Sequence, residues 1–217
     1  MTDLETIEIE TSEQPDNAVI WLHGLGADGN DFVPIVPELG IADTRFVFPH
    51  APVRPVTLNN GFRMRAWFDI LDLTRDTPPD IAGMDESAAN IATLIKREND
   101  RGIDCSRIVL AGFSQGGVMA LYVGLTYPEQ LAGIIGLSTW LPMRDLASPA
   151  NRETPILMGH GLADPVVPIS GGEASRDHLR EQGHNIEWHQ YVMAHAVCPQ
   201  EIHDVAAFLQ RVSGGHS

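Results

Sequence analysis

Apolar positions along this chain follow two rhythms. Short, mostly apolar runs recur at residues 18–22, 45–48, 107–111, 131–137 and 155–158, and the more polar residues 186–192 also read as a strand. Runs of this length and composition read as strands, and the unbroken ones as strands covered on both faces. Residues 6–11 alternate instead, which predicts a half-exposed antiparallel strand at a sheet edge. Between these runs the spacing becomes helical. Phe32, Ile35, Val36 and Leu39 form one stripe, although Pro37 must shorten that helix. Residues 84–101 make the clearest helix, with Met84, Ala88, Ile91, Leu94 and Ile95 on one face and Gly102 as its stop. The segment after Ser114 is apolar all round up to Pro128, so it is expected at the centre. Ser170 with Glu173 reads as a capping box opening a helix to about Gln182, and residues 199–212 form the last helix. Strands alternating with helices predict an α/β fold: a mostly parallel twisted sheet with helices on both faces, as one domain over residues 1–217.

Two stretches break the pattern. Residues 49–79 are irregular and proline-rich, and so long a connection is usually functional. They are read as an excursion over one end of the sheet that suits a lid or pocket wall. Residues 213–217 are a short tail.

Composition narrows the function classes. The 217 residues are 43% hydrophobic and 20% charged, ordinary for a soluble globular protein. A formal net charge of -15 argues against nucleic acid and against charge-driven docking to an anionic membrane. The first ten residues lack the basic start and apolar core of a secretory signal. No apolar run reaches the roughly 18 residues of a membrane span. Cys105 and Cys198 are too few for a disulfide framework, so a cytoplasmic setting is expected, with a single 105–198 bridge left open.

The chemistry is expected at Gly112-Phe-Ser-Gln-Gly116. A bare G-x-S-x-G arises by chance in roughly one chain in ten to twenty of this length. Here it joins an apolar strand to an apolar helix, the context of a serine nucleophile on a sharp elbow. The plainer reading makes the glycines helix-packing residues and Ser114 a cap. In a parallel sheet the partners must come from loops at the same edge. His160-Gly-Leu-Ala-Asp164 follows the run ending at Met158, so Asp164 is preferred as the carboxylate over Asp145 and over Asp177 within a helix. His195 follows the last strand, whereas His178, His184, His189 and His203 fall within or beside other elements. The order Ser114, Asp164, His195 is that of the α/β-hydrolase fold. Backbone amides of Gln115 and of Leu25, in the loop His23-Gly-Leu-Gly26, are the expected oxyanion donors.

With these residues in place, the chain resembles the carboxylesterase/acyl-protein thioesterase family of small α/β-hydrolases over almost its whole length. The resemblance is carried by His23-Gly-Leu-Gly26, Ala66-Trp-Phe-Asp-Ile70, Gly112-Phe-Ser-Gln-Gly-Gly117, Leu137-Ser-Thr-Trp-Leu-Pro142, His160-Gly-Leu-Ala-Asp-Pro-Val-Val-Pro168 and Met193-Ala-His195. It implies the triad Ser114, Asp164 and His195, the donors Leu25 and Gln115, and a broad apolar substrate surface without cofactor or metal. Trp67, Phe113, Trp140, Leu141 and Val167 are its candidate pocket residues. The implied partner is a small acyl ester or thioester, with a homodimer faintly suggested. Two positions depart from the pattern: Ala194 stands where the family usually has glycine, and Arg63 and Arg65 add charge beside the expected pocket.

Short to medium acyl esters are the first expectation, with acyl-protein thioesters or lysophospholipids as the alternative. A non-catalytic hydrolase-like binding protein is a remote alternative, since such proteins generally lack a triad member. A metal hydrolase would have to use His160/Asp164 or Glu201/His203, and neither pair has a recognisable ligand motif. Cys198 lacks the strand–turn–helix context of a nucleophile.

Overall fold

Strands buried on both faces organise the molecule. The computed structural model describes residues 4–71, 78–142 and 148–213. Its elements in order are β1 (Thr6–Glu10), β2 (Asn17–Leu22), α1 (Val36–Leu39), β3 (Thr44–Pro49), β4 (Val53–Val56), β5 (Phe62–Arg65), α2 (Ile81–Asp100), β6 (Ile108–Phe113), α3 (Gln115–Thr126), β7 (Gly133–Leu137), β8 (Ile156–Gly161), α4 (Ile169–Glu181), β9 (Ile186–Tyr191) and α5 (Pro199–Ser213). Seven strands form one sheet in the order β1-β3-β2-β6-β7-β8-β9. Every pairing is parallel except β1 with β3 at the edge, the strand whose sequence alternates.

Period-2 alternation divides the core. Ile20, Leu22 and Leu110 point to one face, where they meet Met84, Ile91, Leu94 and Ile95 of α2, Leu121 of α3 and Leu179 of α4. Val19, Trp21, Val109 and Ala111 point to the other, against Phe32 and Leu39 and against Val205, Phe208 and Leu209 of α5. The α3 helix is apolar on nearly every side, and eleven of its residues are buried, from Gln115 through Leu125. This is the sandwiched position its sequence predicts.

Several boundaries differ from the expected ones. The irregular stretch contains an antiparallel hairpin of β4 and β5, a second small sheet. Its residues 72–77 lie outside the described residues, as does Asp145. The α2 helix starts at Ile81, before the apolar stripe, because Asp80 caps it by accepting the Gly83 amide at 3.0 Å. β8 runs on to Gly161 and so includes His160. The capping box at Ser170 does not form: α4 begins at Ile169 behind Pro168, with no side-chain cap, and Glu173 accepts from Gln190 at 3.2 Å instead.

One buried ion cluster ties β3 to α2. Glu98 is fully buried and accepts from Arg45 at 2.7 Å, Arg101 at 3.2 Å and Arg97 at 3.3 Å. Cys105 and Cys198 are both free. Among the described residues no helix is long and apolar enough to cross a membrane.

Candidate active site

The elbow between β6 and α3 forces Ser114 into φ 52° and ψ -119°, a region that L residues rarely occupy. Such strain costs on the order of 1–3 kcal/mol and persists only where the surroundings impose it. Two glycines make the turn possible. A Cβ on Gly112 would overlap the Gly116 carbonyl, and one on Gly116 would overlap the Leu22 carbonyl of β2. The tight turn leaves Ser114 at the C-terminal end of the sheet, 8% exposed.

The loops after β8 and β9 converge at the same edge. Asp164 Oδ2 lies 2.7 Å from His195 Nδ1. Its Oδ1 accepts the amides of Val166 and Val167, each at 2.9 Å, which fixes the carboxylate in an Asx-type turn. A carboxylate can only accept, so Nδ1 of His195 carries a proton, and in the neutral ring Nε2 has the lone pair. The imidazole also packs on the Phe113 ring, with centroids 4.7 Å apart. Ala194 is absent from the residues of positive φ, so alanine sits there without backbone strain.

The loop at residues 23–26 is held from below. His23 is buried; its Nδ1–H donates to the Gly24 carbonyl at 2.7 Å, and its Nε2 accepts the Ala51 amide at 3.0 Å. Burial pushes its pKa down to about 4, so the ring stays neutral. Trp67 Nε1–H donates to the His23 carbonyl at 2.9 Å. The Trp67 amide in turn donates to Gln115 Oε1 at 2.9 Å, while Gln115 Nε2–H donates to the Phe68 carbonyl at 2.7 Å. Gly26 N–H donates to the Arg65 carbonyl at 2.9 Å, which joins the hairpin to the same loop.

Ser114 and His195 open into one cavity of about 840 Å³, with Leu25 and Gln115 in its wall. Phe113, Trp140, Leu141 and Val167 line it as well. Trp67 does not. It is fully buried behind the wall, where its indole is used to brace the loop, and its neighbour Phe68 lines the cavity in its place. Arg63 and Arg65 are also outside the lining. Their guanidinium groups donate to the carbonyls of Val53 and Ala51, each at 3.0 Å.

Several contributors were not apparent from sequence. Residues Ser170, Gly171, Ala174, Ser175 and His178 present one face of α4 to the cavity. Their spacing of three to four residues was the available signal, but the segment reads equally well as a solvated helix. His160, fully buried in β8, donates from Nε2 to the Val167 carbonyl at 2.9 Å and so holds the loop that carries Asp164. Thr139, after β7, donates its hydroxyl to the Ser114 carbonyl at 2.8 Å. Neither contact is local in sequence. Among the described residues no group of three or more His, Cys, Asp or Glu side chains is arranged to hold a metal ion.

With this geometry in view, the comparisons with known proteins are specific. A family model described as phospholipase/carboxylesterase matches residues 4–213. The chain is 39% identical to acyl-protein thioesterase 1 of Mycosarcoma maydis, over 98% of each protein. It is also 39% identical to acyl-protein thioesterase 1 of Gibberella zeae, over 92% of each. The crystal structure of Zea mays acyl-protein thioesterase 2 superposes with a TM-score of 0.88 at 34% identity, covering 97% of this chain and 99% of that one. A strained serine on a β-turn-α elbow, a close superposition on a solved relative and a family match over residues 4–213 agree, and the chain belongs to the phospholipase/carboxylesterase family of α/β-hydrolase enzymes.

Proposed function

We propose that this enzyme hydrolyses esters and thioesters of apolar acyl groups through an acyl-enzyme on Ser114. The observation that carries this reading is His195, held 2.7 Å from the buried Asp164 and lining the same cavity as a serine of φ 52°. His195 Nε2 takes the proton of Ser114 as Oγ attacks the acyl carbonyl, and Asp164 stabilises the imidazolium. The amides of Leu25 and Gln115 bind the oxyanion of the tetrahedral intermediate. The C–O or C–S bond then breaks, and the imidazolium supplies a proton to the departing alcohol or thiol. Water, deprotonated by the same imidazole, attacks the acyl-serine, releases the acid and restores the hydroxyl. All of these residues come from one chain, so the chemistry needs no second copy.

Short and medium esters are the first substrates suggested by sequence. A second reading, thioesters of longer acyl chains on protein cysteines, is favoured by the cavity. Its wall follows α4 from Ser170 to His178, a length of about 12 Å at 1.5 Å per residue. The acyl-protein thioesterase relatives support it too. A cytoplasmic setting remains part of the proposal, and the two free thiols accord with it.

The test is a set of esters of increasing chain length beside an S-acylated peptide, with Ser114→Ala as the control and fluorophosphonate labelling of Ser114. Turnover above the control, together with labelling, supports the proposal. Rates equal to the control on every substrate, with no labelling, overturn it. The chain-length profile decides between the two substrate classes.

A further inference from the structure

One peptide group joins the nucleophile to a proposed oxyanion donor. Its carbonyl belongs to Ser114 and its N–H to Gln115. That carbonyl accepts the Val118 amide at 3.1 Å, the first turn of α3, and the Thr139 hydroxyl at 2.8 Å. Thr139 is on neither element of the elbow. It follows Ser138, whose φ is 46°, so strained residues end the adjacent parallel strands β6 and β7. Ser114 N–H donates to the Leu137 carbonyl at 2.8 Å. The peptides before and after Ser114 are therefore both bonded to the end of β7.

Space has been left for this threonine. A Cβ on Gly117 would stand 2.7 Å from Thr139 Cβ, and one on Gly136 would stand 3.0 Å from Thr139 Cγ2. The side chain is buried at 1% exposure, and its hydroxyl is directed at one carbonyl. A trans peptide is planar, with N–H and C=O pointing in opposite directions, so holding the oxygen aims the N–H. Hydrogen bonds at the carbonyl also polarise the amide and strengthen it as a donor. Val118 supplies one such bond in any helix. Thr139 supplies an additional one from outside it.

We propose that Thr139 is a positioning residue for the oxyanion hole, its hydroxyl orienting and polarising the Ser114–Gln115 peptide so that Gln115 N–H meets the developing negative charge. The proposal rests on the acyl-enzyme reading above and on Gln115 as a donor. It predicts that the hydroxyl matters to the transition state and much less to the bound ester.

The test compares purified Thr139→Val, which keeps the shape, with Thr139→Ser, which keeps the hydroxyl. Thr139→Ala serves as the partner of Thr139→Ser if the valine variant does not fold. The hydroxyl-less variant is expected to lose about tenfold in kcat, a fraction of the 10²–10³ lost with a whole oxyanion donor, with KM within about twofold. A boronic acid that mimics the tetrahedral state should bind more weakly by the same factor, and Thr139→Ser should stay near the parent in both readouts. Unchanged kcat in the folded hydroxyl-less variant overturns the proposal. So does an equal loss in the serine variant, or a fall in kcat without weaker boronic acid binding. Failure of the acyl-enzyme reading is seen separately, as a parent enzyme that neither turns over esters nor labels at Ser114.

Discussion

Asp164 divides its carboxylate between two tasks: Oδ2 holds His195 Nδ1 at 2.7 Å, and Oδ1 holds its own loop through the Val166 and Val167 amides at 2.9 Å. Orientation of the imidazole and integrity of the loop thus depend on different oxygens, and a substitution can separate them. Asp164→Asn keeps an oxygen for the two amides but presents an NH₂ to Nδ1, which favours the wrong tautomer. We expect kcat/KM on an activated ester to fall by about 10³–10⁴ with the melting temperature nearly unchanged. Asp164→Ala should lose comparable activity and also stability, because the loop amides then lose their acceptor.

Ser114 and His195 are expected to act as a unit. Ser114→Ala and His195→Ala should each remove nearly all turnover, and the double variant should be little worse than either single one. Steady-state rates on one ester for the three proteins decide this. Multiplying losses would mean that the two side chains act independently.

Trp67 provides a test of its place behind the wall. Trp67→Phe keeps the ring packing but deletes the Nε1–H bond to the His23 carbonyl. We expect a stability loss of about 1 kcal/mol and a lower kcat, because the loop bearing Leu25 is less well held. KM should change little, since this side chain does not touch the cavity. A selective rise in KM would return Trp67 to the pocket wall.

Glu201 should make the fold less stable as pH rises from 4.5 to about 8. It is fully buried in the first turn of α5, and neither carboxyl oxygen has a hydrogen-bond partner among the described residues. Burial, with a smaller contribution from the Asp204 charge, raises its pKa from 4.5 to about 8. Between those values the folded chain holds a proton that the unfolded chain releases, so stability is full below pH 4.5 and declines as pH rises toward 8. Glu201→Gln mimics the neutral acid. Denaturant titrations should show a flatter profile over this window and a gain on the order of a few kcal/mol at its upper end.

Glu98 is the opposite case, a buried charge with partners. Glu98→Ala removes the carboxylate shared by Arg45, Arg97 and Arg101, which keep Glu10 and Glu8 as partners, and a loss of about 1–3 kcal/mol is expected from the shift in urea midpoint. The cluster lies between β3 and α2, outside the cavity lining. The rate per folded molecule should therefore be retained.

Much of this architecture could be read from residue order alone. Residues 18–22, 108–111 and 133–137 are unbroken apolar runs because both faces of β2, β6 and β7 are covered, and burial of that kind leaves its record in local composition. The elbow is equally legible, since Gly112 and Gly116 are demanded by contacts made within a few residues of Ser114 or with the adjoining strand. The hairpin of β4 and β5 was not legible. Its strands are only four residues long and β4 carries Pro55, so the alternation of Phe62-Arg-Met-Arg65 is too short to mark a strand. Ser170 misled for the same reason: a capping pattern is local, whereas Glu173 found its partner in β9.

Residue order by itself determined the sheet's buried strands, the helix at its centre and the short list of candidate groups for acyl transfer, because periodicity and turn chemistry act over a few neighbours. Tertiary structure alone decided that Trp67 braces a loop while Phe68 faces the cavity, that α4 supplies a wall, and that Thr139 reaches the Ser114 carbonyl from 25 positions away. Those outcomes depend on which way a side chain or peptide plane points once distant strands lie side by side, and no local pattern encodes that direction.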